Sequence, residues 1–464
     1  MKPSKNTELS VAHNLKIALF HLGSGIVDVL TTGVWNRIMV ADLGFSATFV
    51  GLLTALRYFL APLGVIAGRF SDTHTIGGFR RLFWIWLGRA MMALSTVTLG
   101  FATAELVRRA QTGLGSETPL ALWLALVFSF LLFSLGSAIS GSTFLALIYD
   151  RAGEKQRGRA VGLVWTFLLI GFAAGGVFFS LLLPPEDGTG ELGFSAGSVL
   201  TLFLVTAGIL SALWFFSLLG EEQRNSRIAK AKAEQGSSLL YDLSLVWRSR
   251  VMTFFLLYLT LSMLFVFLQD TVLEPFAGEV FGMEAHVTNR FAAYWGSMAI
   301  IGSFVVLFFS GKHSLFTDGN LARGGIIVLL FAYAVFALSA LGELRPLVTP
   351  GLVLLGLGMG IWNIGTLGMM MEMSPAGRAG TFLGFWTLCV TFARGAGVAG
   401  GGIVRDLMLS LTGEHTSAYG AVFCCGFIGL LFALYVLWQV KRGDRKTDAR
   451  SEAELAAVLS HSLD

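Results

Sequence analysis

The chain has 464 residues, of which 55% are hydrophobic and only 13% charged, with 56 glycines and a mean hydropathy of +0.72. Soluble domains carry roughly twice that share of charge, so this composition excludes a soluble enzyme, a secreted disulfide scaffold and a disordered chain, and points to an integral membrane protein. The formal net charge of +4 is small, and the three cysteines (Cys389, Cys424 and Cys425) lie in apolar stretches without CxxC spacing, so neither a disulfide framework nor a structural zinc site is expected.

A bilayer core of ~30 Å needs about 20 consecutive apolar helical residues. That ruler predicts twelve spans, at about 16–41, 45–69, 82–105, 119–148, 160–183, 194–219, 251–274, 289–310, 323–342, 350–371, 379–405 and 418–440. The first is too long for a signal-peptide core and carries His21 and Asp28, so it is read as a true helix. With the N-terminus inside, the segments on its side of the membrane hold 24 Lys and Arg. The opposite side holds 4: Arg108, Arg109, Arg345 and Arg405. This bias predicts that both termini are cytoplasmic, and it explains the basic excess without a nucleic-acid partner.

The longest charged connection, 220–250, divides the chain. The expected layout is an N-terminal six-helix bundle over 1–219, a cytoplasmic linker over 220–250, a C-terminal six-helix bundle over 251–440 and a cytoplasmic tail over 441–464. Within the tail, 451–464 reads as a short amphipathic helix. A weak internal repeat supports two halves: Arg157 precedes Trp165 by eight residues, as Arg378 precedes Trp386. Between the second and third spans, Gly68-Arg69-Phe70-Ser71-Asp72 and the following Arg80-Arg81 resemble the cytoplasmic loop of the major facilitator superfamily. Gly68, Asp72, Arg80 and Arg81 are therefore expected to form a conformational latch; a solvated turn is the plainer reading. Gly171 and Gly175 in the fifth span, and Gly397 and Gly401 in the eleventh, present small-xxx-small faces suited to close helix packing.

Each ionisable residue within a span costs ~2.5 kcal/mol or more and is a functional candidate by default. Asp28, Arg57, Arg89 and Arg394 are expected to be buried charge, each arginine needing a carboxylate, a carbonyl or water; Arg37, Arg290 and Glu274 lie near span ends. Asp270 and Glu274, four residues apart, are predicted to share one face of a helix that Pro275 ends. No P-loop, GxSxG or HExxH motif occurs, so there is no sequence basis for ATP-driven transport or proteolysis, and no enzyme is expected.

The segment Leu268-Gln269-Asp270-Thr271-Val272-Leu273-Glu274-Pro275-Phe276-Ala277-Gly278-Glu279-Val280-Phe281-Gly282-Met283 resembles the QDxxLEPFGGEVFGM signature of the PucC family, the bacteriochlorophyll-delivery branch of the major facilitator superfamily. Gly33-Val34-Trp35-Asn36-Arg37-Ile38-Met39, Ser71-Asp72-Thr73-His74 and Ala379-Gly380-Thr381-Phe382-Leu383-Gly384-Phe385-Trp386 are similar to three further stretches of that family. Trp35 in place of a leucine-like residue and Ala277 in place of glycine are departures, and they leave the subfamily open.

The resemblance implies an all-α fold of twelve transmembrane helices in a 6+6 two-bundle architecture. It implies an assembly factor for light-harvesting complexes, in the photosynthetic membrane of a prokaryote, that binds and delivers (bacterio)chlorophyll to antenna polypeptides. Pigment-synthesis and insertion machinery would be further partners, and the pigment would be a bound ligand or cargo rather than a covalent cofactor. Asn36, Arg37, Gln269, Asp270, Glu274 and His21 are the candidate pigment- or substrate-binding residues. The pigment's magnesium would want an axial ligand: His21, an amide or carboxylate such as Gln269 or Asp270, or water. Two other readings stand beside this one. In the first, a proton-coupled transporter of a small amphipathic solute titrates Asp28, Asp270 and Glu274. In the second, a non-transporting scaffold holds antenna helices through its glycine faces.

Overall fold

The computed structural model of the protein describes residues 11–113, 118–151, 157–185, 192–222, 250–309, 316–374 and 379–461. Among the described residues everything regular is helical except one antiparallel bridge between Ile76 and Phe79. Eleven helices there are long and apolar enough to cross a membrane, and a shorter apolar helix, Arg250–Val266, begins the remaining span. This is an integral membrane protein. Helices satisfy the backbone where lipid offers no hydrogen bonds. Most of the connection between the halves, at 223–249, lies outside the described residues, as do 310–315 and 375–378. The expected repeat around Arg157 and Arg378 therefore gains no side-chain description. The tail follows the twelfth span in a single helix, His415–His461, instead of forming a separate one.

The seventh span departs most from expectation. It is not one helix over 251–274: Arg250–Val266 stops, Phe267–Val272 turns, and a second helix, Leu273–Phe281, resumes. Pro275 therefore sits in the opening turn of the second helix, where a missing N–H breaks no helical bond, and does not end the first. Hydrogen bonds to other spans, in both directions, hold the interruption. The Tyr333 hydroxyl donates to the Phe265 and Val266 carbonyls at 2.6 and 3.1 Å, Asn36 Nδ2 donates to the Asp270 carbonyl at 3.3 Å, and Thr271 Oγ1 donates to the Val398 carbonyl at 2.6 Å. Non-helical backbone at membrane depth is tolerated where protein or a cavity surrounds it. The first span is irregular as well, with π-helical turns at Leu30–Val34 and Ile38–Asp42.

Other boundaries shift less. The second span bends between Ala47–Phe59 and Leu63–Thr73, at Pro62. The eighth opens with a short turn, Ala285–Thr288, before Phe291–Phe309. The eleventh runs on to Thr412, so Arg405, read from sequence as a loop residue, is helical and buried.

Packing follows a repeat. The first span packs on the fifth and sixth, the third on the fourth and sixth, and the second on the fourth. The seventh likewise packs on the eleventh and twelfth, the ninth on the tenth and twelfth, and the eighth on the tenth. The contacts joining the two sets are reciprocal too: second against eleventh, and fifth against eighth. The predicted glycine faces work inside each set. A Cβ at Gly171 would stand 3.0 Å from Gly25 Cα in the first span, and one at Gly401 would stand 3.1 Å from the Leu268 carbonyl carbon in the seventh.

The face carrying the start of the first span and the end of the twelfth is the terminal face; the opposite one is the far face. Bonds between the sets cluster toward the far face. Asp406 accepts from Ser46 Oγ at 2.6 Å and from the Thr48 N–H at 2.8 Å, Arg37 donates to the Met283 carbonyl at 2.8 Å, and Arg290 donates to Ser180 at 2.8 Å. Toward the terminal face, Gly68, Gly162 and Gly384 stand in open space, with nothing within 4 Å of an added Cβ. Among the described residues, the sets are fastened to each other at the far face.

Candidate functional site: a cavity between the two helix sets

The interrupted seventh span faces a cavity of about 1250 Å³, counted to its open mouth, between the two sets at mid-depth. Its walls are mainly apolar and aromatic, including Trp165, Phe172, Phe267, Trp295 and Trp362, with Phe172 and Trp295 in ring contact at 5.2 Å. A few polar groups converge on it: Asp28, Gln269, Asp270, Glu274, Asn363 and Arg394. A large apolar cleft with sparse, converging polar groups is the usual build of a small-molecule site.

The charges form a network that joins the two sets. Arg57 pairs with Asp28 within the first set. Arg394, from the eleventh span, lies 3.4 Å from Asp270 and 3.9 Å from Asp28, so Asp28 is shared between arginines of both sets. Aromatic faces complete the setting. The Arg394 guanidinium lies over Phe267 at 4.0 Å and over Tyr58 at 5.0 Å, and Arg57 lies over the same Tyr58 at 4.6 Å. Gln269 Nε2 donates to Asp270 at 2.5 Å, fixing the carboxylate that Arg394 faces.

Glu274 differs from these. It is only 6% exposed, and among the described residues no cation lies within ion-pair distance of it. Its Oε1 faces the first span where the side chain is smallest, so that a Cβ at Gly33 would stand 3.4 Å from it. The carboxyl group thus lines the cavity without a charged partner.

The signature read from sequence divides into two parts. Gln269, Asp270 and Glu274 line the cavity. Its later residues build the far-face closure: Gly278 lies against the Arg37 guanidinium, Glu279 pairs with Arg405, and Gly282, at φ +60°, makes the turn that presents the Met283 carbonyl to Arg37. Arg37, expected to bind substrate, is therefore placed in the closure, where it also pairs with Asp42 at 2.6 Å. Asn36 supports the site from behind: its amide holds the Asp270 carbonyl of the interrupted segment and donates to Thr32 at 2.6 Å.

His21 lies apart from this group. It faces an adjoining cavity within the first set, with its ring 5.0 Å from that of Phe144. Arg89 lines the same space and, of the carboxylate, carbonyl or water expected to meet a buried arginine, has no carboxylate within ion-pair distance among the described residues. It rests on aromatic faces instead, 4.1 Å from the centroid of Phe20 and 4.7 Å from that of Trp214.

Three of the residues expected to form a latch, Asp72, Arg80 and Arg81, make ion pairs within the first set. Arg81 pairs with Asp72 at 2.5 Å and Asp150 at 3.2 Å, and donates to Ser71 at 2.6 Å, while Arg80 pairs with Asp150. Gly68 packs against nothing, so it makes no close approach here. Two residues assigned from sequence to a solvated linker instead anchor this face. Glu222 accepts from the N–H groups of Arg80, Arg81 and Leu82 at 2.7, 2.9 and 2.8 Å, and the buried Glu221 accepts from His13 at 2.7 Å and Lys16 at 3.1 Å. Asn363, beside Trp362 in the tenth span, was also missed; an amide in mid-span was its only sequence signal.

Among solved structures, the fold is similar to a bacterial homologue of the human lysosomal transporter Spinster in an inward-facing, unoccupied conformation. The TM-score is 0.71 at 15% identity, covering 94% of this chain and 98% of the other. It is also similar to a point mutant of the nucleoside transporter NupG, with a TM-score of 0.68 at 14% identity, covering 92% and 98%. The architecture is that of a major-facilitator-type membrane protein with twelve helices. In sequence, the chain is 32% identical over 430 residues to "Bacteriochlorophyll synthase 44.5 kDa chain" of Rhodobacter capsulatus, covering 90% of this chain and 92% of that one. It is 27% identical over 406 residues to "Protein PucC" of Rhodovulum sulfidophilum, covering 86% of each. The family described as PUCC protein matches residues 34–445, and the chain belongs to it.

Proposed function

We propose that this protein is a membrane-embedded assembly factor for light-harvesting complexes, which holds (bacterio)chlorophyll in the cavity between its helix sets and passes it to antenna polypeptides. It acts as a carrier and not as a catalyst. The single observation that carries this reading is the cavity itself: wide, walled by tryptophan and phenylalanine, and furnished with few polar groups. A chlorin is a broad apolar plate with carbonyl substituents and a central magnesium. The aromatic walls suit its faces, Arg394 and Gln269 can donate to its carbonyl oxygens, and Gln269, Asp270, Glu274 and Asn363 offer oxygen atoms to the metal. His21 is less well placed as an axial ligand, because it faces the adjoining cavity. Relatives that bear PucC and bacteriochlorophyll synthase names support a role in assembling photosynthetic pigments and their complexes. We place the protein in the photosynthetic membrane with its terminal face in the cytoplasm, on the strength of the basic residues concentrated on that side.

The test is purification from the native membrane followed by absorption spectroscopy and pigment extraction. A long-wavelength Qy band that survives gel filtration with the protein is expected. A colourless protein that takes up no chlorin on reconstitution overturns the reading.

A second reading has its own observation. The unpaired Glu274 and the shared carboxylates of Asp28 and Asp270 lie in one cavity, an arrangement suited to proton-coupled transport of an amphipathic solute. Proton-driven uptake into liposomes that is lost in Glu274→Gln would favour it.

A further inference from the structure

The cavity beside His21, about 720 Å³ counted with its open mouth, is lined by the first helix set. It adjoins the central cavity, and both are lined by Asp28, Trp165 and Leu168. Two cations line it, Arg57 and Arg89, with a single carboxylate, Asp28. Asp28 is already committed to Arg57 and to Arg394. Arg89 is left without a counter-charge among the described residues, although it is only 6% exposed.

Aromatic faces do not satisfy a guanidinium's hydrogen bonds. Arg89 Nη1 reaches only the Met92 thioether, at 3.4 Å, and Nε is buried without a partner. His21 Nδ1 is likewise buried without a hydrogen-bond partner. Ser24 and Ser137 line the same space, although the Ser24 hydroxyl is occupied with the Phe20 carbonyl at 3.2 Å. A buried arginine keeps its proton, so an unpaired one at membrane depth is costly unless something anionic joins it. The planar fork of a guanidinium matches the paired oxygens of a carboxylate or phosphate.

We infer that this side cavity is an anion site, which takes the carboxylate or phosphate of a ligand against Arg89, with His21 as the second polar contact. The central cavity beside it, with its mainly apolar and aromatic walls, suits an amphiphile whose charged head would occupy the side cavity while its hydrocarbon lies in the larger one. This inference does not rest on the pigment reading, since protein that binds no chlorin is still expected to select anions here.

The experiment uses the full-length protein in a non-ionic detergent, with quenching of intrinsic tryptophan fluorescence as the readout, Trp214 lying 4.7 Å from Arg89. Oleate, dioleoyl phosphatidic acid, inorganic phosphate and methyl oleate are titrated separately. At least one anionic probe is expected to bind tenfold or more tighter than methyl oleate. Which probe does so separates a carboxylate amphiphile, a lipid phosphate and a free anion. Arg89→Gln should bring the preference to within twofold, and Arg89→Lys should keep most of it. Equal binding of charged and uncharged probes by the wild type overturns the inference, and so does an unchanged preference in Arg89→Gln. If Arg89→Gln fails to fold, the wild-type comparison and Arg89→Lys decide, because a site built on charge must discriminate in both. Pigment content, read separately from the Qy band, is expected to be unaffected by which probe wins.

Discussion

Asp406, near the far end of the eleventh span, accepts the backbone N–H of Thr48 at 2.8 Å and the hydroxyl of Ser46 at 2.6 Å, and so caps the second span from the opposite helix set. The cap fastens the two sets at the face where they meet. Hydrogen bonds to a charged group contribute about 1.5–3 kcal/mol each. Asp406→Asn should therefore raise the share of molecules open at the far face about tenfold or more. Pulsed electron paramagnetic resonance distances between labels at Phe45 and Leu411 would read this as a longer population. An unaltered distance distribution would show that the cap does not hold the closure.

Because Asp28 is shared, the charge network tolerates the loss of Asp270 but not the loss of both carboxylates. In Asp270→Asn, Arg394 keeps Asp28 at 3.9 Å and its two aromatic faces, so a loss of only about 1 kcal/mol in stability is expected. Asp28→Asn with Asp270→Asn strands Arg57 and Arg394 together. Breaking buried pairs by removing one partner costs about 3–5 kcal/mol. Thermal unfolding in detergent would check this, and additive single and double losses would argue against a network.

Glu274 has no cation to abandon, which separates its role from that of Asp270. Glu274→Gln should leave thermal stability within about 0.5 kcal/mol of wild type. It should at the same time lower the pigment recovered per protein and the antenna complex assembled in the cell. Normal antenna levels would remove Glu274 from the function.

Gly401 sits on the Leu268 carbonyl, at the interruption of the seventh span. A leucine there has no space, and overpacking of this kind costs about 1–3 kcal/mol. Gly401→Leu should lower the unfolding temperature and the pigment content together, because the strain falls on Gln269 and Asp270. Gly68→Leu, which meets nothing, should change neither.

Glu222 alone accepts from three N–H groups at the start of the third span. Glu222→Ala should cost about 1–2 kcal/mol, in the range of a lost N-cap. Hydrogen exchange would show it as faster exchange at Arg80, Arg81 and Leu82.

Much of the fold was legible because hydropathy and length decide which segments enter a bilayer, and both are local properties of the sequence. The interruption of the seventh span was not legible. Its flanks are equally apolar, and the groups that stabilise the turn, Tyr333, Asn36 and Val398, come from distant spans. Pro275 misled for a physical reason: a proline that cannot continue a helix is also well suited to a helix's first turn. Arg37 lies away from the cavity because the π-helical turn at Leu30–Val34 rephases the first span between it and Asp28, so its side chain points into the far closure while Asp28 points into the cavity. Arg89 shows the limit of reading charge by residue type, since whether a buried cation has a partner depends on spans that only folding brings together. The family signature did locate Gln269, Asp270 and Glu274 at the cavity; that the same stretch also builds the closure needed coordinates.

The nine-residue helix Leu273–Phe281 carries Glu274 at its cavity end and Glu279, bonded to Arg405, at the other. Five residues of helix separate them by about 7.5 Å, a strut too short to bend. A guest bound at the Glu274 end would act on the Glu279 end through this strut, which follows directly on the turn at Phe267–Val272. On the proposed function, filling the chamber and unfastening its floor would be two movements of one small lever.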